Sequence, residues 1–538
     1  MSTTTWMTLP GSPDRWPYRR WGKRREEPVM RQLQGLPELI VTLGRRRLTA
    51  SETAAITSVQ VLSTLARPAQ CLVSWRPGPG GSGSRSRGRS GVDPAPGDAL
   101  RVEVGGFRAP LFVGEVTVVE YSYGADLSQE LRVRAYDALH RLRKRQFTRF
   151  HPDTDLAGLA GTLCEGTGLQ VTGGGTALGD VFQCARSDLS LLVEQSARVG
   201  VYPVVDDRML RLPGLSGEGE PLELELGASL HSAEVEVSQE SAFAGARTAG
   251  WRADDASPQS ASAGSSDAKP SVSADPALAS VGAGGELLRD NEPLASEALA
   301  DQLAQAELDV RVAGQVSAVF VADGDPRLRA GGRVRVRGIA QRLEGTYAVT
   351  SVTHRLDGTG YETTVSTLPP APPPERKPDV FTLGVVSDVD DPDGRGRARV
   401  RLPAYPELET PWTPVMYAAA GADKGMVAPP GPDDTVLVLL PASDPGQAIV
   451  LGGLFGAEQP PDAQVSGPRD GRFTFRTRDG QEVQLDGHAH TIRLSNGHGS
   501  TVELGPNRLR ITAATDLLLE APGKAMTIRA KTVDFEEA

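Results

Sequence analysis

The sequence predicts a mainly β, turn-rich protein built from several domains, and three observations carry that prediction. The chain has 538 residues, too many for a single core. Gly 60 and Pro 41 are plentiful while aromatic residues are only 5%, so turns are frequent and strand-like stretches outnumber helical ones. Third, the C-terminal region carries apolar residues in pairs two positions apart, the period of a strand with one apolar face.

Composition also excludes function classes. A net charge of −11 with no long basic face argues against nucleic acid as a partner. Cys71, Cys164 and Cys184 are odd in number, widely spaced and free of CxxC spacing, as expected of reduced thiols in a protein made in the cytosol. The strongest apolar run, "TVLVLLPA", has strand length and cannot span a bilayer. "YRRWGKRREEPVM" has an arginine pair, but Glu26, Glu27 and Pro28 stand where an export signal needs apolar residues. Residues 1–36 are therefore expected to be a flexible basic tail, and any exit from the cell uses another route.

From Pro37 to Trp75 the chain reads as strands joined by turns, followed by a low-complexity insertion at about 76–97. "ALRVEVGGFRAPLFVGEVTVVEYSYG" resumes the alternation. Two helices follow. One buries Leu156, Leu159, Ala160 and Leu163 and stops at Gly166 and Gly168. The other is N-capped by Ser187, buries Leu191, Leu192 and Ala197, and ends at Gly200. A hairpin is expected to turn at Asp206–Asp207. Residues 253–286 read as a second disordered insertion. A third helix has apolar spacing at Ala300, Leu303, Ala304 and Leu308. "PPAPPPERKP" (370–379) is a stiff linker and a domain boundary. Beyond it, five or six short strands to about Phe455 suggest a small β-barrel.

The C-terminal pairs are Phe473 and Phe475, Val483 and Leu485, Ile492 and Leu494, Val502 and Leu504, Leu509 and Ile511, Leu517 and Leu519, Met526 and Ile528, and Val533 and Phe535, at steps of seven to ten residues. Such a repeat makes each strand one rung of an elongated structure. Burial of an aliphatic side chain yields about 1.5–3 kcal/mol, and ordering each residue's backbone costs roughly 1–2 kcal/mol. A lone ribbon with one apolar face comes out near zero. Three ribbons around one axis bury every pair and close every edge, so an intertwined trimeric β-helix is expected.

"FTLGVVSDVDDPDGRGRARVRLPAYPELETPWTPVM" and the "VLVLLPASDPGQAIVLGGLFG" that follows resemble the OB-fold domain of contractile-tail spike proteins. The shared elements are Gly384, Asp391–Pro392–Asp393, Gly396–Arg397, Pro403, Pro411–Trp412 and Val450–Leu451–Gly452. Pro432–Asp433–Asp434 departs from the commoner Gly–Asp. Upstream, "VRAYDALHRLRKRQFTRF" and "ADGDPRLRAGGRVRVRG" resemble the phage tail hub, or late-control D, domain, and the C-terminal repeat resembles the needle. The resemblance implies a VgrG-like hub and spike with a tail-hub domain at 37–369, an OB-fold domain at 380–457 and a β-helix spike at 470–538. The hub is expected to hold two β-barrel-like lobes with inserted helices, drawn from Asp153–Thr248 and Gly314–Thr367 with the earlier strands. Implied partners are two further copies of the chain, inner-tube and baseplate or hub adaptor proteins, a PAAR-like tip protein and cargo effectors. The site residues are then the sixteen paired apolar residues on the trimer axis, with Phe535, Glu536 and Glu537 as the tip-docking end.

No chemistry is expected of such a protein: no catalytic residue, cofactor or metal. Asp388, Asp390, Asp391 and Asp393 miss calcium-loop spacing because Val389 stands at a ligand position and no glutamate closes the loop. His488, His490 and His498 are expected to be solvated. Walker-A, HExxH and GxSxG motifs are missing from the sequence. The short spans after Phe455 and after Phe535 leave no room for the enzymes that some relatives carry. The rival functions are a hub-linked cell-wall hydrolase and a glycan-binding β-protein. The expected setting is cytoplasmic assembly into a phage-tail-like particle.

Overall fold

A computed structural model describes residues 37–76, 92–125, 129–240, 242–252, 256–274, 285–371, 377–405, 408–456, 459–462 and 471–536. The basic tail at 1–36 and most of the first low-complexity insertion lie outside these residues.

Eleven strands form one sheet that curls around two cores. One half is built from strands between Leu39–Leu43 and Gln129–Tyr136, the other from Leu230–Val237, Val316–Asp323, Ser351–Asp357 and Gly360–Ser366. The halves join where Ser351–Asp357 runs antiparallel to Ile56–Thr64, with Leu356 opposite Val59. Inward positions alternate along each strand, as the two-residue period requires. Val41, Val59, Val73, Val102 and Val133 fill one lobe. Val316, Phe320, Val334, Tyr347 and Val365 fill the other. The first lobe therefore comes from the earlier strands at residues 39–136, while Asp153–Thr248 supplies Leu230–Val237 of the second lobe together with two helices and smaller sheets. The period-two pattern of β-branched residues lies in the earlier segment.

The three expected helices form at Leu156–Cys164, Asp188–Arg198 and Glu297–Ala313, N-capped by Asp155, Ser187 and Ser296. In the second, Ala197 is half-buried, and Gln195 and Ser196 are buried instead. The buried stripe follows Leu192, Gln195, Ser196 and Val199, the helical i, i+3, i+4, i+7 spacing. The hairpin of Val204–Asp206 and Met209–Arg211 pairs Asp206 with Met209, so its turn is Asp207–Arg208, one residue later than expected.

The 253–286 segment is not wholly without structure. Ser257–Ala263 is a strand antiparallel to Gly245–Arg252, and Ala263, Ala268 and Ala274 are buried. Ala246 and Ala263 pack on Ala304 and Leu308 of the third helix. Alanine and serine alternate there, and small side chains let a strand sit close to a helix. Composition concealed that pattern.

The barrel has four paired strands, Val380–Asp388, Arg399–Arg401, Thr435–Leu440 and Ile449–Gly453. Isolated bridges such as Ala398–Thr413 stand where further strands were expected. Proline-rich loops explain the shortfall, since proline cannot donate to a ladder. Gly384 is required by packing: a Cβ there would lie 2.2 Å from Val400 Cγ1. Asp433, at the departure from Gly–Asp, has φ 70° and so takes the left-handed conformation that favours glycine and that aspartate tolerates. Phe182 of the strand Ala177–Ser187 packs into the barrel core and stacks on Phe150 at 4.4 Å. Lys377 reaches back to Glu194 at 2.6 Å. These contacts key the barrel to the strand and helix that precede it.

Candidate assembly face

The C-terminal region is a five-stranded antiparallel meander of Arg472–Arg476, Glu482–Asp486, Thr491–Ser495, Thr501–Leu504 and Leu509–Thr512. Local chemistry sets the reversals. Asp486 accepts the N–H groups of His488 and Ala489 at 3.0 and 2.8 Å. Asn496 accepts those of His498 and Ser500 at 2.9 and 3.0 Å. Gly497 has φ 76°, and a Cβ on it would lie 3.0 Å from the Gly480 carbonyl of the neighbouring turn. Such side-chain-to-backbone bonds are the usual mechanism of tight turns.

Register then sorts the side chains. Phe473, Leu485, Ile492, Leu504 and Leu509 form one cross-strand row, and Phe475, Val483, Leu494, Val502 and Ile511 form a second. All ten lie on one face. Phe473 is 64% exposed, Leu494 42% and Ile511 53%, so within one chain that face is open.

The opposite face is polar, and Asp462 covers its first two strands. Asp462 accepts hydrogen bonds from Arg472 (3.3 Å), Thr474 Oγ1 (2.6 Å) and Gln484 Nε2 (3.2 Å). Arg472 also pairs with Asp486 at 2.7 Å. Thr474, Gln484, Arg493, Glu503 and Arg510 continue the polar row across the sheet.

Beyond Ile511 the apolar pairs continue without strands: among the described residues, Leu517 and Leu519, Met526 and Ile528, and Val533 and Phe535 form no strand pairs within one chain. None of the six is interior to one chain: Leu519 is 64% exposed, Ile528 65% and Phe535 91%, and Leu517, Met526 and Val533 are exposed as well. The physical reason is that a strand needs a hydrogen-bonded neighbour, and among the described residues the chain supplies none beyond Thr512. Glu536 is exposed, and Glu537 lies outside the described residues. Leu517 lines a groove with Phe475, Val483 and Ile511 beneath Met426 and Val427 of a barrel loop. The sequence reading did not assign that loop. His488, His490 and His498 are exposed, the first two in the turn after Asp486.

In the barrel, the Asp391 carboxylate is fully engaged. It accepts the N–H groups of Asp393, Arg395 and Arg397 and faces the Arg397 guanidinium at 2.7 Å. These hydrogen bonds, Arg397 foremost, hold its carboxyl well below the usual range. The carboxylate fixes a turn. In the hub, His354 Nε2 faces the Leu328 carbonyl at 3.1 Å while Nδ1 meets Thr363 Oγ1 at 3.0 Å. Burial pushes its pKa down to about 4. Asp137, buried in the first lobe, is pushed up to about 7 by desolvation.

Two family models match the chain. One, described as the Type VI secretion system/phage-baseplate injector OB domain, matches residues 382–455. The second, described as the Alg8 N-terminal domain, matches residues 86–358, just over half of the chain. The chain belongs to the Alg8 N-terminal domain family, and its residues 382–455 are similar to the injector OB domain. No curated protein matches it. Among solved structures, the Francisella PdpA–VgrG complex (lidded) gives a TM-score of 0.49 at 8% identity, covering 89% of this chain and 81% of that one. An E. coli protein, described as a component of the type VI secretion system with structural similarity to the T4 bacteriophage tail proteins gp27 and gp5, gives 0.47 at 12%, covering 78% and 99%. The 43 kDa tail protein of prophage MuSo2 from Shewanella oneidensis gives 0.47 at 16%, covering 61% and 97%. None of the described helices is long and apolar enough to cross a membrane.

Proposed function

We propose that three copies of this hub and spike protein assemble about one axis, joining the inner tube of a contractile injection system to a needle that pierces the target envelope on sheath contraction. One observation carries the proposal: ten large apolar side chains stand in two unbroken rows on an open face while the opposite face is polar. Three such faces turned inward bury both rows. The unpaired segment from 513 onward, with Leu519 and Ile528 among its apolar residues, gains its strand partners from the other two copies.

In this reading residues 37–369 are the hub, 380–457 the OB domain and 470–538 the needle, whose sixteen paired apolar residues line the axis. Two lobes per chain give six around a threefold axis, which suits a six-fold tube. The protein acts mechanically, without catalysis, cofactor or metal, in a phage-tail-like particle assembled in the cytoplasm and able to act outside the cell. A PAAR-like tip protein docks at Phe535 and the acidic residues after it, and cargo effectors and baseplate adaptors bind the assembly. The test is co-purification of a tip protein with the full chain and its loss on deletion from Met526 onward. Retention after the deletion contradicts the docking end, and clearing of peptidoglycan in a zymogram contradicts the non-catalytic reading.

A further inference from the structure

A cavity of about 110 Å³ lies where the barrel loop 441–447 meets the helix Asp188–Arg198. One water needs only roughly 10–15 Å³ of such space, so the cavity has room for a small molecule. Most charges on its wall are engaged. Arg186 and Lys377 both donate to Glu194, and Arg289 donates to Glu292 at 2.7 Å. Asp180 accepts the Asp153 N–H at 2.9 Å. Two charges of opposite sign remain without an ion-pair partner among the described residues. The Arg198 guanidinium donates to Gln195 Oε1 at 3.2 Å, and the Asp444 carboxylate accepts the Gly446 N–H at 2.9 Å. Each feels the other across the cavity without contact. Burial works against both charged forms, pushing the Asp444 carboxyl up and the Arg198 guanidinium down. An enclosed charge without a partner is costly, and such groups lining a cavity are the usual mark of a binding site.

We propose that this cavity binds a small zwitterion of the α-amino-acid class, its carboxylate on Arg198 and its ammonium group on Asp444. The chemistry of the wall selects that class. Arg186, Arg198, Arg289 and Lys377 balance Asp180, Glu194, Glu292 and Asp444, so a free anion or a free cation would leave the site with a net charge. A ligand carrying both charges answers both unpaired groups at once. The planar guanidinium suits a carboxylate, which it can hold through two parallel N–H donors. The Asp444 carboxylate has acceptor capacity left for an ammonium group. Leu178, Phe182 and Leu299 give the wall an apolar patch, which fits a short aliphatic side chain such as that of alanine. Arg198 closes its helix and Asp444 belongs to the barrel, so the ligand bridges the two beside the Lys377–Glu194 ion pair. Every wall residue comes from one chain, and the site is therefore independent of the trimeric reading above.

The test is equilibrium dialysis of the full chain against radiolabelled alanine. Saturable binding of one alanine per chain is the expected result. Acetate and methylammonium, which each carry one of the two charges, are expected to compete at least tenfold more weakly than unlabelled alanine. Arg198→Gln and Asp444→Asn are each expected to weaken alanine binding at least tenfold. Absence of saturable binding to the parent chain overturns the site, and that arm needs no variant. Acetate competing as well as alanine, with alanine binding unchanged in Asp444→Asn, overturns the zwitterion in favour of a plain anion. Alanine binding unchanged in both variants places the ligand elsewhere and overturns the assignment. If a variant fails to fold, the competition by acetate and methylammonium on the parent chain decides: equal competition by either one refutes a two-charge site, and weak competition by both supports it.

Discussion

Leu494 gives the sharpest test of a shared apolar axis. It lies mid-sheet between Val483 and Val502 in the second row and is 42% exposed in one chain. Full burial of a leucine is worth ~1.5–3 kcal/mol, so closing the open 42% contributes about 0.6–1.3 kcal/mol per copy. Across three copies, Leu494→Ala removes about 2–4 kcal/mol of assembly free energy. That is roughly a 30- to 700-fold weaker association constant. Leu494→Asp adds three like charges on one axis and is expected to abolish assembly. Light scattering coupled to size exclusion, read over a dilution series, measures the effect. Arg493→Ala, one residue away on the polar face, is expected to leave the mass unchanged. If Leu494→Asp keeps the parent's mass and dissociates at the same concentration, the face is not an interface and the reasoning fails.

Other expectations concern the barrel and hub. Gly384→Ala drives a Cβ to within 2.2 Å of Val400 Cγ1 and is expected to cost about 1–3 kcal/mol by overpacking, read as a lower barrel melting temperature. Asp391→Ala leaves the nearly buried Arg397 without its main acceptor, and thermal unfolding is expected to begin earlier with oligomeric mass unchanged. His354 is neutral when folded and its pKa sits at about 4, so its contribution is complete above pH 6.5 and is lost as pH falls toward 4, about 3 kcal/mol in all. Asp137 at about 7 acts with the opposite sign: its folded form holds a proton that the unfolded chain has released, so stability falls as pH rises from about 4 to 7. Subtracting the urea-unfolding profile of His354→Gln from the parent's isolates the histidine, and a difference flat with pH refutes the assignment. Chelation by EDTA is expected to leave mass and melting unchanged, since His488 and His490 sit exposed in a turn.

Much of this fold is legible in the sequence because its signals are local. Strand period two, the Ser187 cap and the helical spacing of Leu303, Ala304 and Leu308 each act within a few residues, and all three appear in the structure. Long-range pairing is not local. Nothing near Val59 or Leu356 announces that these residues meet and join the two lobes. The two apolar rows of the C-terminal meander were legible from spacing alone up to Ile511. From Leu517 onward the same spacing persists through Leu519, Met526 and Ile528 without strands in one chain, because strand formation depends on a neighbour that the chain itself does not supply. A run buried on one face and one buried on both look alike until register separates inner Val436 and Val438 from outer Leu437 and Leu439. Alanine and serine at 257–263 misled in the other direction, since a composition typical of disorder also suits close strand–helix contact.

The most direct measurement is the mass of the purified full-length chain in solution at micromolar concentration. Three copies of a 56.9 kDa chain are expected to travel together as one species. A stable, folded species at the mass of one chain would leave both apolar rows facing water, and the injection-spike account would be wrong.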